Sequence, residues 1–367
     1  MLDLAATALV KAQDHAAGRY TGSATSSLRP YTEAMSRLRV AIASPERALW
    51  EETAITVGLL ALVEHLLTPE TRWPSNHCGG LYAVLRLRGP QPASSKSAII
   101  VALYYDSWST TFLRPCLLGI ASPFDHPICW DHRPVARGDV PPAVYKLRWM
   151  SHQLFLRLPT LIVLVRKLRE FADVDAAKEA VNLAGTLLKI CDDDVEIEFV
   201  RSLRTTETLY DKHREIKRAS FQFDNTAQYF ALLYYSQTRL LLFRLCRTLS
   251  AVSPATDLLE IPTHTIARMV ENLFRSWQYT FITGVVGDHA VFMAVVAAWA
   301  TLTDHPHLLE PELHAYELRI WLLGILNSTL TSQAADCREL DQLADLFAGG
   351  PRTGSTLVQR YLSTRSL

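Results

Sequence analysis

His77-Cys78-Gly79-Gly80-Leu81-Tyr82-Ala83-Val84-Leu85-Arg86-Leu87-Arg88-Gly89-Pro90 reads as one short amphipathic helix with a hard stop. Leu81, Val84, Leu85 and Arg88 recur at helical spacing, and Gly89-Pro90 ends the helix because proline cannot continue it. A tryptophan, Trp73, stands before the stretch, and a second apolar run, Ser97 to Tyr105, follows it. Arg114-Pro115 comes next, and then the loop Ser122-Pro123-Phe124-Asp125-His126-Pro127-Ile128-Cys129-Trp130.

Outward from this stretch the chain reads as helix after helix. Leu4, Ala5, Ala8, Leu9 and Ala12 give the first helix one apolar face. Pro30 starts a second helix, to Ile42, and Ser44-Pro45-Glu46 supplies a side-chain cap, a proline and an acid at the start of a third. The third is apolar nearly all round from Val57 to Val63, which suits the centre of a bundle. Leu113 to Pro142 is proline-rich and reads as an irregular connection. Tyr145 to Phe171 reads as a helix broken at Pro159, Val174 to Ile190 as another, and Val195 to Ala219 as a charged, solvated one. Long apolar helices follow over Phe221 to Leu249, Thr263 to Thr280, Val291 to Leu302 and His314 to Thr331, and Gln333 to Phe347 closes the set. No strand is expected. Gly349-Gly350-Pro351 ends the ordered part, leaving a Ser/Thr/Arg tail that docks or frays.

The order of parts around Trp73 to Trp130 resembles the regulatory middle homology region of fungal zinc-cluster transcription factors. Gly80, Leu85, Arg88, Gly89, Pro90, Phe124 and Trp130 carry the resemblance. A later helix ending in Arg239-Leu240-Leu241-Leu242 agrees with that family's long core helix. The resemblance implies an all-α fold, an irregular multi-helix bundle or array, with one regulator-like domain over 1–348 and a tail over 349–367. None of these motifs is catalytic.

Composition narrows the function. The 367 residues are 49% hydrophobic and 20% charged, enough to bury a sizeable core. Thirty-seven basic and 37 acidic residues cancel, whereas a chain that grips nucleic acid by itself normally shows a basic excess. The six cysteines (78, 116, 129, 191, 246 and 337) lack any metal-ligand spacing and read as free thiols of a reducing compartment. The close-spaced zinc cluster of the resembling family is therefore missing. No apolar run reaches the roughly 18 residues of a membrane span, and Asp3 and Lys11 argue against a signal peptide, so a soluble protein is expected.

Three groups are candidates for chemistry. Asp192-Asp193-Asp194-Val195-Glu196 contains the Asp-Asp-x-x-Glu spacing that can hold magnesium against a diphosphate. No matching acidic motif follows, and acids at a helix start suit the dipole, so no metal site is assigned. Asp288 and His289, after Gly284 and Gly287, are the first choice for proton transfer if the chain is an enzyme, and a cap with a satisfied histidine otherwise. Tyr234, Tyr235 and Arg239, with Trp277 and Tyr279 on a later helix, could line a small-molecule pocket with polar handles, although core packing is the simpler account. His77 beside Cys78 makes no dyad, because adjacent helical residues point apart.

Two functions follow. The first is a ligand-sensing or protein-interaction domain of the fungal regulator type without its DNA-binding module, nuclear, with a metabolite or a second copy of the chain as partner. The second is a stand-alone secondary-metabolism enzyme, cytoplasmic, a cyclase or isomerase of a polyketide or terpenoid that reuses the fold. Neither calls for a cofactor, direct nucleic-acid contact or a membrane.

Overall fold

The computed structural model of the protein describes residues 1–16, 25–67, 76–89, 100, 103, 109–130, 133, 140–207, 219–252, 261–283, 285–308, 315–329, 335–352, 356 and 358. These are almost all helix, with a single two-stranded ribbon among the described residues, so the all-α array is the architecture. The chain divides into two compact units.

The first unit holds α1 (Leu2–Ala16), α2 (Thr25–Ile42), α3 (Pro45–Ala48), α4 (Glu51–Leu67) and α5 (Asn76–Arg88). Ala5, Ala8 and Ala12 are fully buried, and Ala8 and Ala12 pack with Val63 of α4. Small side chains on the inner face of α1 let the helices approach closely. Pro45 opens α3 behind Ser44, whose hydroxyl accepts from the Arg47 amide. In α5, Leu81, Val84 and Leu85 turn inward, and Gly89 takes φ +66°, the left-handed conformation that closes a helix. The helix therefore stops where the sequence says, although Pro90 and nearly all of 97–105 lie outside the described residues. Arg88 ties this end back to the Leu49 carbonyl at the end of α3 and to Glu51 of α4. Phe124 is fully buried edge-on to Tyr82 at 6.1 Å, and Arg114 lies over the Tyr82 ring at 5.0 Å. The connection is not wholly irregular: it holds a π-helix (Ser109–Leu113) and two short helices, α6 (Arg114–Leu118), which from Pro115 is counted in the second unit, and α7 (Pro127–Trp130).

The second unit is built on α8 (Pro142–Phe171) packed along α11 (Thr226–Val252). The expected break at Pro159 does not occur, and α8 runs through it. An internal proline costs about 3 kcal/mol. Leu154, Phe155, Leu156, Leu158, Leu161 and Ile162 are all buried around it, and each such burial returns about 1.5–3 kcal/mol. Packing wins. Beyond α8 come α9 (Val174–Ile190) and α10 (Asp193–Ser202), then α12 (Thr263–Thr283), α13 (Val285–Asp304), α14 (Ala315–Thr329) and α15 (Cys337–Phe347). The buried run Ala290 to Ala300 makes α13 a central helix, flanked by α11, α12, α14 and α15.

The reading of Val195 to Ala219 as one helix is corrected. The α10 helix ends at Ser202, and Arg204–Glu207 (β1) pairs antiparallel with Ala219–Gln222 (β2), Arg204 facing Gln222. Phe221 leaves the expected long helix to bury on this ribbon, with the Arg275 guanidinium 4.1 Å above its ring. The α11 helix accordingly starts at Thr226.

The chain after α15 docks at its start. Arg166 donates from Nε to the Gly350 carbonyl (2.9 Å), and Thr356 donates its hydroxyl to Glu339 (2.9 Å). Gly349 sits at φ +81°, and a Cβ there would lie 2.7 Å from Val165 Cγ1. Gly349→Ala is therefore expected to lower unfolding stability by about 1–3 kcal/mol in a urea titration. Gly185→Ala, on α9 with nothing within 4 Å, should instead raise it by roughly 0.5–1 kcal/mol.

Candidate functional site

The long helix α11 carries two adjoining polar features. On one face, Tyr235, Arg239 and Phe243 follow at four-residue spacing, which stacks side chains up a helix. Arg239 Nη1 meets Asp193 and lies 3.2 Å from Tyr235 Oη, and its guanidinium covers the Phe243 ring at 4.8 Å. Tyr235 is fully buried; its hydroxyl donates to the Asp192 carbonyl (3.2 Å) and accepts from the Asp192 amide (3.1 Å). Burial pushes the phenol up, so it stays protonated.

The partner of this face is the acidic start of α10. Asp192 caps α10 by accepting from the Asp194 and Val195 amides and takes an ion pair from Lys146, which holds its carboxyl below the usual range. Asp193 takes Arg239 and, at 3.1 Å, Arg268 of α12. Glu196 is fully buried, receiving Arg268 Nε at 2.8 Å and the Asn272 amide. Burial raises its pKa against the opposing pull of Arg268 and Asn272. The Asp-Asp-x-x-Glu acids are thus each engaged by side chains of the chain itself. Among the described residues no group of three or more His, Cys, Asp or Glu could hold a metal ion.

The sequence-chosen residues separate. Tyr235 and Arg239 come together in this network. Tyr234 packs on Phe155 and Phe230, Trp277 on Trp321, and Tyr279 on Tyr229 and Phe223. Asp288 and His289 fall near the start of α13, and their side chains lie outside the described residues.

On the neighbouring face of α11, at the far end of α13, lies a cavity of about 220 Å³. Leu240, Phe243, Arg244, Arg247 and Ser250 come from α11, Ile261 and Ile266 from the start of α12 and the residues before it, and Thr301, Asp304 and His305 from the end of α13. Phe243 joins the two features, with Arg239 against its ring and the cavity lined by it. Arg244 Nε stands 3.4 Å and Arg247 Nη1 3.8 Å from Asp304 Oδ2. Arg247 also donates to the Asp304 carbonyl at 2.8 Å, capping the C-terminus of α13, and its Nη1 lies 3.3 Å from His305 Nε2. Burial, and then Arg247, lower the His305 pKa, leaving a neutral imidazole at pH 7. Burial likewise lifts the thiols of Cys191 to about 11 and Cys246 to about 12, so neither is a thiolate near neutrality.

The cavity residues were missed in the sequence, yet they contain a signal seen elsewhere in it. Asp304-His305 repeats the Asp288-His289 dipeptide at the other end of the same helix. Asp304 and His305 line the cavity described here.

Comparison with protein-family models, with curated proteins and with solved structures finds no match for this chain. Among the described residues, no helix is long and apolar enough to cross a membrane.

Two outcomes test the geometry. Glu196→Ala leaves Asn272 without its buried acceptor and Arg268 with Asp193 alone; a loss of about 1–3 kcal/mol in urea unfolding is expected. His305 has a depressed folded-state pKa, so its contribution is present above the unfolded value, roughly 6.5, and is lost as pH falls through the folded one. His305→Gln should flatten that part of the stability–pH curve, read by urea midpoints in steps between pH 7 and pH 5.

Proposed function

We propose that the chain is a small-molecule-sensing regulatory domain of the kind that accompanies the zinc cluster in fungal transcription factors. One observation carries the reading: a cavity of about 220 Å³ between α11, α12 and α13, with apolar walls and a pair of arginines. Concave, mostly apolar sites with a few convergent polar groups are where small ligands bind. The motif order around Gly80 to Trp130 and the long core helix ending in Arg239-Leu240-Leu241-Leu242 support the family side. In this reading the chain works in the nucleus, with a metabolite as effector and a second copy of itself as partner.

A second reading has its own observation. His305 is a neutral imidazole on the cavity wall beside Asp304, and such a pair is what an isomerase or cyclase would use to move a proton. A cytoplasmic enzyme of secondary metabolism would follow.

One pair of experiments separates them. The full chain, fused behind a DNA-binding module, should drive reporter transcription that changes when organic acids are supplied to the culture. Ser250→Trp, an exposed position at the cavity, should abolish the response and leave the basal signal intact. A reporter that never responds, together with a metabolite consumed by the wild-type protein and spared by His305→Gln, would replace the regulator with the enzyme.

A further inference from the structure

We infer that the cavity at the end of α13 takes a small monoanion with an apolar body, a carboxylate carried on one or two rings. This rests on the cavity being a ligand site and adds the class of ligand. Arg244 and Arg247 bring two positive charges, Asp304 one negative, and His305 is neutral, which leaves one positive charge over.

Asp304 does not satisfy both cations. Its Oδ2 is 3.4 Å from Arg244 Nε and 3.8 Å from Arg247 Nη1, whereas a well-formed pair of this type sits near 2.7–2.9 Å, at roughly twice the strength of a neutral bond. Arg244 Nη1 is buried with no hydrogen-bond partner among the described residues. Two neighbouring negative influences need weighing. The C-terminus of α13 presents about half a negative charge, less than the surplus. Asp345 also acts on Arg244, but it is paired with Arg169 at 2.8 Å, and the two largely cancel. A net positive site remains.

The walls set the rest of the ligand. Leu240 and Phe243 of α11, the helix that also carries the arginines, and Ile266 of α12 are buried apolar side chains lining the cavity. The volume of about 220 Å³ falls below the roughly 300–1,000 Å³ of drug-sized sites, which selects one or two rings. An anionic head against Arg247 and Arg244 with rings against Leu240, Phe243 and Ile266 uses each wall for its own chemistry. A cation would meet the arginines, and a polyanion would bring more charge than the surplus.

The test is calorimetric titration of the full chain with 2-naphthoate, 2-naphthamide and 2-naphthylmethylammonium at low ionic strength. The naphthoate should bind at least about tenfold more tightly than the amide, a difference of about 1.4 kcal/mol, and the ammonium should not bind. Arg247→Gln, at a solvent-exposed side chain that leaves the core untouched, should weaken the naphthoate about tenfold and leave the amide unchanged. Asp304→Asn raises the surplus to two and should tighten the naphthoate, an effect a purely structural aspartate would not give. Ser250→Trp should abolish binding of both. If amide and carboxylate bind alike and Arg247→Gln changes neither, the anion assignment falls while the cavity stands as a ligand site. If none of the three binds at millimolar concentration, or if Ser250→Trp leaves binding intact, the cavity is not the ligand site and both readings fall.

Discussion

A carboxylate sealed from water, Glu196, fixes the geometry on which the second unit depends. Isolating such a charge in an apolar interior costs many kcal/mol, so it is tolerated only where partners are already in place. Arg268 and Asn272 supply them from α12, and Asp193, three residues earlier on α10, takes Arg239 from α11 as well as Arg268. Three helices are thereby pinned at one level. Replacing the whole set with well-packed apolar residues could leave stability unchanged. What the charges add is register: α10 cannot slide along α11 or α12 by a turn without leaving Glu196 unpaired.

That register is passed to the cavity through a single helix. Tyr235, Arg239 and Phe243 occupy one row of α11, and Leu240, Arg244 and Arg247 the next. Phe243 belongs to both, holding Arg239 on its face and lining the cavity. The mouth of the cavity is thus set by the same two helices, α11 and α12, that the buried carboxylate aligns, and α13 closes the third side. Core helices packed this densely do not deform continuously, so the spacing between Phe243 and Ile266 follows from the ion pairs of Arg239, one turn before Phe243, and Arg268, two residues after Ile266.

Much of this is written in the sequence, and the losses have physical causes. The stop of α5 is legible because Gly89 must adopt a left-handed backbone that few other residues tolerate. Tyr235 and Arg239 stand out because polar groups in an apolar helix must find partners, and they found each other. Local rules failed where tertiary packing overrode them. Pro159 lies within a helix so thoroughly buried that its local cost is outweighed. The ribbon was missed because Arg204-Thr205-Thr206-Glu207 has no apolar alternation to mark a strand; only the two β-branched threonines hint at it. Asp304-His305 was missed for a different reason. Two identical dipeptides lie near the ends of the same helix, and the cavity beside Asp304-His305 is formed with α11, some 60 residues earlier in the chain.

The chemistry of His305 bears on the choice between binding and catalysis. An arginine can only donate, so its contact at 3.3 Å with His305 Nε2 uses the imidazole as an acceptor there. The lone pair a general base would offer to a substrate is already directed at a guanidinium. Protonating that nitrogen would set two cations face to face, and the lowered pKa of His305 expresses part of that penalty alongside its burial. A base engaged in this way must first break its contact with Arg247 to take a proton. An anionic ligand drawing Arg247 toward itself would loosen that contact without any reaction being needed. The arrangement therefore favours a site whose arginines respond to an occupant over one whose histidine attacks it.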